Sequence, residues 1–280
     1  MQHFLVPTDF SETAFSALQY AVALAKHTKS DITILHTYTD KQNEPKIAEQ
    51  LAQLQHEIMQ HTTQVINMTS VAIVGDFIEV LTNLLKEKTF ATIIMGMKGL
   101  RSINMAWLGM KELETVENFW VGSHTTKVLE TVKIPVLVVP KAAKFRSLQQ
   151  LTLAIDTKKD YLPEVFIPLT KLATYFQSNL NIVTIRLRDE QKNEENEELQ
   201  LKKVRKWVGN EIPCSFKVVI ADEIQAGLRY YISQENNQDM LVMVTRKKDF
   251  FEKLFGISTT QQMVYSTTTP VLVLHNHSTI

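Results

Sequence analysis

The pattern of strands and helices in this sequence is written twice, and nothing else in it restricts the fold so strongly. A short apolar run, His3-Phe4-Leu5-Val6, is stopped by Pro7 and followed by Thr8-Asp9, so it reads as a buried strand. Ser11 then stands as a helix N-cap before Ala14 to Lys26, whose apolar residues recur at helical spacing. Further strands are predicted over Asp31–Thr37, Ser70–Val74, Ala91–Met95 and Val136–Val139, with helices over Pro45–Val65, Phe77–Lys86 and Ser123–Thr131. The order restarts after the polar segment Lys141–Ser147. Strands are expected at Leu151–Asp156, Asn181–Leu187, Phe216–Ile220 and Met240–Val244, and helices at Tyr161–Phe176, Glu194–Val208 and Ile224–Gln234. Each half ends on a rhyming strand, IPVLVVP and TPVLVLH, with Pro135 and Pro270 in equivalent places.

Strands alternating with helices call for parallel pairing through right-handed crossovers. A repeat long enough to carry a full α/β layer set in each copy is a duplicated domain and not a solenoid. The expected fold is therefore two tandem doubly wound α/β domains, residues 1–143 and 144–280, each with about five parallel strands. A chain of 280 residues suffices for two cores.

Composition removes several function classes. Lys plus Arg total 30 and Asp plus Glu total 30, so no overall field favours nucleic acid or an anionic membrane. The start lacks a secretory leader pattern and no apolar run is long enough to span a bilayer, so a soluble protein is expected. Cys214 is the single cysteine, which excludes an internal disulfide framework or a thiolate zinc site and fits a reducing cytoplasm. His56 and His61 miss the spacing of a helical metal pair, and His275 and His277 fall in the C-terminal tail. The run Glu194 to Lys206 mixes both signs and reads as a solvated helix face. No nucleophile, base and orienter constellation emerges, and no G-x4-G-K-[ST] loop is present.

Glycine placement is the remaining signal. Gly96 and Gly99 follow the fourth strand, where a G-x-x-G makes either a plain turn or half of a phosphate-binding loop. A phosphate needs converging unpaired backbone N–H groups, which a helix N-terminus supplies with its partial positive charge. Two later glycines, Gly109 and Gly122, compete to complete such a loop.

The opening VPTDFSETA, the Leu35-His36 pair, Val74-Gly75, MGMKG and GSHTTKVLETVKIPVLVVP together make the sequence resemble the universal stress protein family. The resemblance covers the whole first half and, more weakly, the second. It implies a stress-response binding module. Members that carry G-x2-G-x9-G-[ST] between the fourth and fifth strands bind ATP or a related adenine nucleotide, with or without Mg. Gly109 satisfies that spacing but is followed by Met110, whereas Gly122 is followed by Ser123 and stands at the family's distance before PVLVV. Gly122-Ser123 is accordingly read as the loop's second half, after an insertion of about thirteen residues near Ile103–Val121. Ile103, Trp107, Met110, Leu113 and Trp120 give that insertion an amphipathic pattern, suited to a lid, an interface or an elaboration of its own domain.

By the same resemblance, Asp9 contacts the nucleoside, Pro7 and Thr8 line the adenine pocket, and the Thr37 backbone meets the base. Met95, Gly96, Lys98 and Gly99 come from the strand-four loop; Gly122, Ser123, His124 and Thr125 come from the last helix. Asp9 also has a competing or coexisting role as a capping carboxylate, and Lys98 reads equally as a solvated lysine. Aligning the halves on Pro135 and Pro270 sets Thr245 and Lys248 opposite Gly96 and Gly99, Ile257 opposite Gly122, Ser258-Thr259-Thr260 opposite Ser123-His124-Thr125, and Asp156 opposite Asp9. Side chains at the glycine positions crowd a phosphate, so at most one nucleotide per chain is expected. Arg246, Lys247 and Lys248 read as a solvated basic turn. The expected partners are the nucleotide, an unidentified protein and a further copy in a homodimer, with no nucleic acid or membrane. Two alternatives stay open: a nucleotide-free interaction scaffold, and a weak ATPase using Asp9 or His124. In the family the last strands of two domains pair across a dimer axis; here the two PVLV strands are placed to pair within one chain.

Overall fold

A computed structural model describes residues 2–60, 66–97, 123–189, 194–234, 238–245 and 269–276. Of Ser123 and His124 it describes the backbone alone. The first half runs β1 (His3–Pro7), α1 (Glu12–Thr28), β2 (Asp31–Tyr38), α2 (Glu44–Gln60), β3 (Met68–Val74), α3 (Phe77–Glu87), β4 (Thr92–Met97), α4 (Ser123–Thr131) and β5 (Val136–Pro140). The second runs β6 (Gln150–Ile155), α5 (Ile167–Phe176), β7 (Asn179–Leu187), α6 (Glu194–Val208), β8 (Cys214–Ala221), α7 (Ile224–Gln234), β9 (Met240–Thr245) and β10 (Val271–His275).

Local chemistry places the first elements as the sequence predicts. Ser11 accepts a hydrogen bond from the Ala14 N–H at 3.3 Å, which satisfies one orphan donor of α1. Asp76 does the same for α3, accepting from Ile78 at 2.9 Å and Glu79 at 3.2 Å. The helix expected over Tyr161–Phe176 is instead a 3-10 turn, Pro163–Phe166, followed by α5. Pro163 and Pro168 each lack an N–H and are tolerated only in a first helical turn, so two short elements replace one long one.

Among the described residues all the strands form one ten-stranded sheet in the order β3-β2-β1-β4-β5-β10-β9-β6-β7-β8. Within each half every pair is parallel, and the halves meet where β5 and β10 run antiparallel, with Leu137 opposite Leu272. The two closing strands thus protect each other's edges inside one chain.

Both faces of the central strands are buried, as parallel strands require. Phe4, Val6, Ile94, Leu137, Leu153 and Leu272 face a layer containing Leu18 of α1, Leu51 of α2, Leu169 of α5 and Val204 of α6. Leu5, Ile93, Val136, Val138, Leu241 and Val273 face Leu81 of α3, Val128 of α4 and Leu228 of α7. Each layer continues across the seam. Phe145, on the linker, packs there edge-on to Tyr20 at 5.3 Å and against His27 at 5.2 Å and Phe176 at 6.2 Å.

Candidate functional site

Chain order fixes where an open parallel sheet has its topological switch point, the place where such folds hold ligands. The path leaves β1 toward β2 on one side and returns through β4 on the other, so the switch point lies beyond the carboxyl ends of β1 and β4. Asp9 follows β1 and Gly96 lies near the end of β4, which brings these two predicted residues to that point.

Pro7 ends β1, and the buried Thr8 extends its ladder by donating its N–H to the Leu35 carbonyl at 2.8 Å. The Thr8 hydroxyl accepts from the Phe10 N–H at 3.1 Å. Its carbonyl accepts from His36 Nδ1 at 2.8 Å, which fixes the proton of that ring on Nδ1. Phe10 has a φ of 59°, a left-handed conformation that is costly for an aromatic residue, and its ring stands 4.5 Å from that of His36. This turn aims the exposed Asp9 outward while one carboxylate oxygen accepts from the Ser11 N–H at 3.0 Å. The capping role foreseen for Asp9 is therefore present. That bond takes one of about four acceptor positions on a carboxylate.

Thr37 lies on β2 opposite Ile73 of β3. Beyond it, the Tyr38 phenol is raised above its ordinary pKa by loss of solvent and then by the Glu44 carboxylate. Gly75, with φ of 142°, turns the chain from β3 into α3 and donates to the Tyr38 carbonyl at 2.8 Å.

The far wall comes from β4 and α4. Met95 is buried, and Gly96 pairs with Val139 of β5. A Cβ at Gly96 would lie 2.5 Å from the Thr13 carbonyl oxygen and 2.6 Å from Thr13 Cγ2. The glycine is therefore demanded by the first turn of α1 pressing on the strand, a requirement separate from any ligand. The buried Thr125 donates its hydroxyl to the Gly96 carbonyl at 3.4 Å, fastening the start of α4 to the end of β4. That proton is thereby engaged within the fold. Lys98, Gly99, Gly109, Gly122 and the Ile103–Val121 insertion lie outside the described residues, as do the side chains of Ser123 and His124.

Sequence reasoning missed three participants. His36 was legible only as half of the Leu35-His36 pair. The left-handed Phe10 carries no signal in its residue type, and Thr13 acts through its backbone.

The second half differs at the same place, and its alignment needs a correction of one residue. Ile93 pairs with Val136 and Leu5, and Leu241 pairs with Val271 and Thr152, so Ile93 and Leu241 are equivalent. Counting on, Val244 and not Thr245 occupies the place of Gly96, while Asp156 does correspond to Asp9. A side chain fits there because α5 does not begin until Ile167, with the 3-10 turn Pro163–Phe166 ahead of it, so no early helical turn presses on β9. The strand ends are also bridged. The Asp156 N–H donates to the Tyr161 hydroxyl at 2.8 Å, Asn276 donates to the Asp160 carbonyl at 3.0 Å and accepts from Leu162, and Gln200 donates to Asp160 at 3.3 Å. Ile257, Ser258–Thr260 and the basic turn lie outside the described residues, as do His61 and His277. Among the described residues no cluster of three His, Cys, Asp or Glu suits a metal ion, and no helix is long and apolar enough to cross a membrane.

The family model for the universal stress protein family matches residues 1–140 and 172–275. A universal stress protein from Archaeoglobus fulgidus DSM 4304 has a similar structure, with a TM-score of 0.68 at 15% identity, covering 98% of this chain and 98% of its own. A functionally unknown protein from Pseudomonas aeruginosa PAO1 gives a TM-score of 0.59 at 11% identity, over 99% of this chain and 93% of its own. At such identities the likeness is one of fold. No curated protein matches the sequence.

Proposed function

The chain belongs to the universal stress protein family, and from that premise we propose that its N-terminal half binds ATP or a related adenine nucleotide and that occupancy biases a protein partner in a stress response. One observation carries the reading: the Thr125–Gly96 hydrogen bond holds the start of α4 against the end of β4 at the switch point, with Asp9 on the neighbouring strand end. The residues present suit such a ligand. Asp9 offers a carboxylate to ribose hydroxyls, and Pro7, Thr8 and the Thr37 backbone border the adenine end. The N-terminus of α4 contributes backbone N–H groups and partial positive charge for phosphate. Lys98, Gly99, Gly122, Ser123 and His124 complete the proposed set, and a divalent ion would ride on the phosphates. The second half, with Val244 at the glycine position and bridged strand ends, holds none. A cytoplasmic setting suits a chain whose only cysteine is half-buried and unpaired in any disulfide.

Calorimetric titration of the purified protein with ATP tests this. Gly122→Val is expected to abolish binding and Gly109→Ala to preserve it. Equal loss in both overturns the assignment of the loop. Failure of the unmodified protein to bind ATP leaves the nucleotide-free scaffold, and steady phosphate release lost in Asp9→Ala would establish the ATPase alternative.

A further inference from the structure

The two outer edges of the sheet are finished differently. On β3, helix α2 covers the strand: Gln55 donates to the Met68 carbonyl at 3.2 Å and accepts from Ser70 at 3.2 Å. On β8, α6 reaches the Cys214 end, where Arg205 stands beside the thiol; beyond it, among the described residues, that face of the strand is bare, while Val219 on the other face packs against α7. Phe216, Val218 and Ile220 are 43%, 36% and 56% exposed. They pair with Ile182, Thr184 and Arg186, so all three lie on one face, and among the described residues β8 has no neighbour beyond β7. An apolar row beside an unpaired ladder is a template for another strand.

We propose that β8 is a homodimer interface, pairing antiparallel with β8 of a second copy about a twofold axis at Val218. The strand is self-complementary in that register. Phe216 meets Ile220 of the partner subunit, Ile220 meets the partner's Phe216, and Val218 meets the partner's Val218, giving aromatic and β-branched cross-strand pairs on one face. Charge selects the same register. The one charged residue of the strand, Lys217, faces the partner's Val219, whereas a slip of two residues, which moves the axis to Lys217, sets Lys217 against the partner's Lys217. Lys217 is moreover drawn to the opposite face, its ammonium 5.0 Å from the Tyr231 ring centroid. The chain already uses this joint once, where β5 and β10 pair antiparallel through valines and leucines. An isologous contact closes on itself, so assembly stops at two. The contact is smaller than the about 800 Å² per partner of stable complexes, which makes the dimer concentration-dependent. The inference is independent of nucleotide binding.

Sedimentation velocity on the full chain between roughly 5 and 500 μM tests it, a span chosen for a contact below standard size. The average mass should rise about twofold across that range. Val218→Lys, which sets two ammonium groups across the axis from an already exposed position, should keep the mass at one chain while the circular dichroism spectrum is unchanged. Thr69→Lys on β3 should leave dimerisation intact. The register is read by Val218→Cys in a Cys214→Ser background, expected to form a disulfide-linked dimer on mild oxidation where Val219→Cys does not. A single-chain mass at every concentration, undiminished dimerisation of Val218→Lys, or loss of the dimer in Thr69→Lys would each overturn the proposal.

Discussion

Replacing Gly96 by alanine separates two reasons for a glycine at the end of β4. If the residue is small only so that a phosphate can approach, alanine leaves the ligand-free protein as stable as before. It would even add about 0.4–1 kcal/mol by restricting the unfolded chain, because Gly96 is not in the left-handed region. The structure predicts the opposite. The new methyl carbon would lie 2.5 Å from the Thr13 oxygen and 2.8 Å from the Thr13 carbonyl carbon, and these backbone atoms cannot rotate away. Helix α1 has to shift by several tenths of an ångström over a close-packed layer, a kind of overpacking that costs about 1–3 kcal/mol. Net destabilisation of about 1–2 kcal/mol is expected after the unfolded-state gain. In urea, with an unfolding slope of about 3 kcal/mol/M, the midpoint falls by roughly 0.3–0.7 M without nucleotide. Thr13→Ser in the same background removes the Cγ2 contact at 2.6 Å but keeps the carbonyl contact, so it restores only part of the loss. A midpoint in Gly96→Ala equal to or above that of the unmodified protein would refute the packing argument and return the glycine to a purely ligand-driven role.

Two more outcomes follow from the seam. Leu272→Ala, at a position 2% exposed and opposite Leu137, should cost about 2–5 kcal/mol in chemical unfolding, and adding Leu137→Ala should cost less than the sum of the two singles because they share one contact. Burial, and secondarily the Asp239 carboxylate, raises the Tyr20 pKa far above its ordinary value. A raised folded pKa means the stability from holding this proton is complete below the unfolded value of about 10 and declines as pH climbs above it. Tyr20→Phe should accordingly flatten the fall in stability between about pH 10 and 12, measured by urea midpoints, and an unchanged slope would discount Tyr20 as its source.

Much of the fold can be read locally. Apolar alternation and helical spacing locate the strands and helices, Ser11 announces the start of α1, the rhyme of the PVLV strands marks the duplication, and the family resemblance implies their meeting at β5 and β10. These signals survive because burial on one face or both leaves its period in the residues themselves. The candidate site was only partly legible. The positions of Asp9 and Gly96 followed from strand ends, but the turn that aims Asp9 depends on a left-handed Phe10, a residue type that gives no warning of it. The continuous helix expected over Tyr161–Phe176 overlooked Pro163 and Pro168, whose missing N–H groups outweigh a helical apolar pattern.

Residue patterns thus settled the duplicated doubly wound architecture and the parallel strands within each copy, since each is encoded in periodicity or in a repeated motif, while the pairing of the last strands was implied by the family resemblance. Relations between elements distant in the chain needed three dimensions. Gly96 is small because the α1 carbonyl at Thr13 crowds it, Val244 takes the equivalent place because the following helix in its half begins later, and β8 carries a bare apolar row because α6 does not extend over it. In each case the deciding quantity is a distance between a helix and a strand. Such a distance is set by packing and leaves no period along the chain.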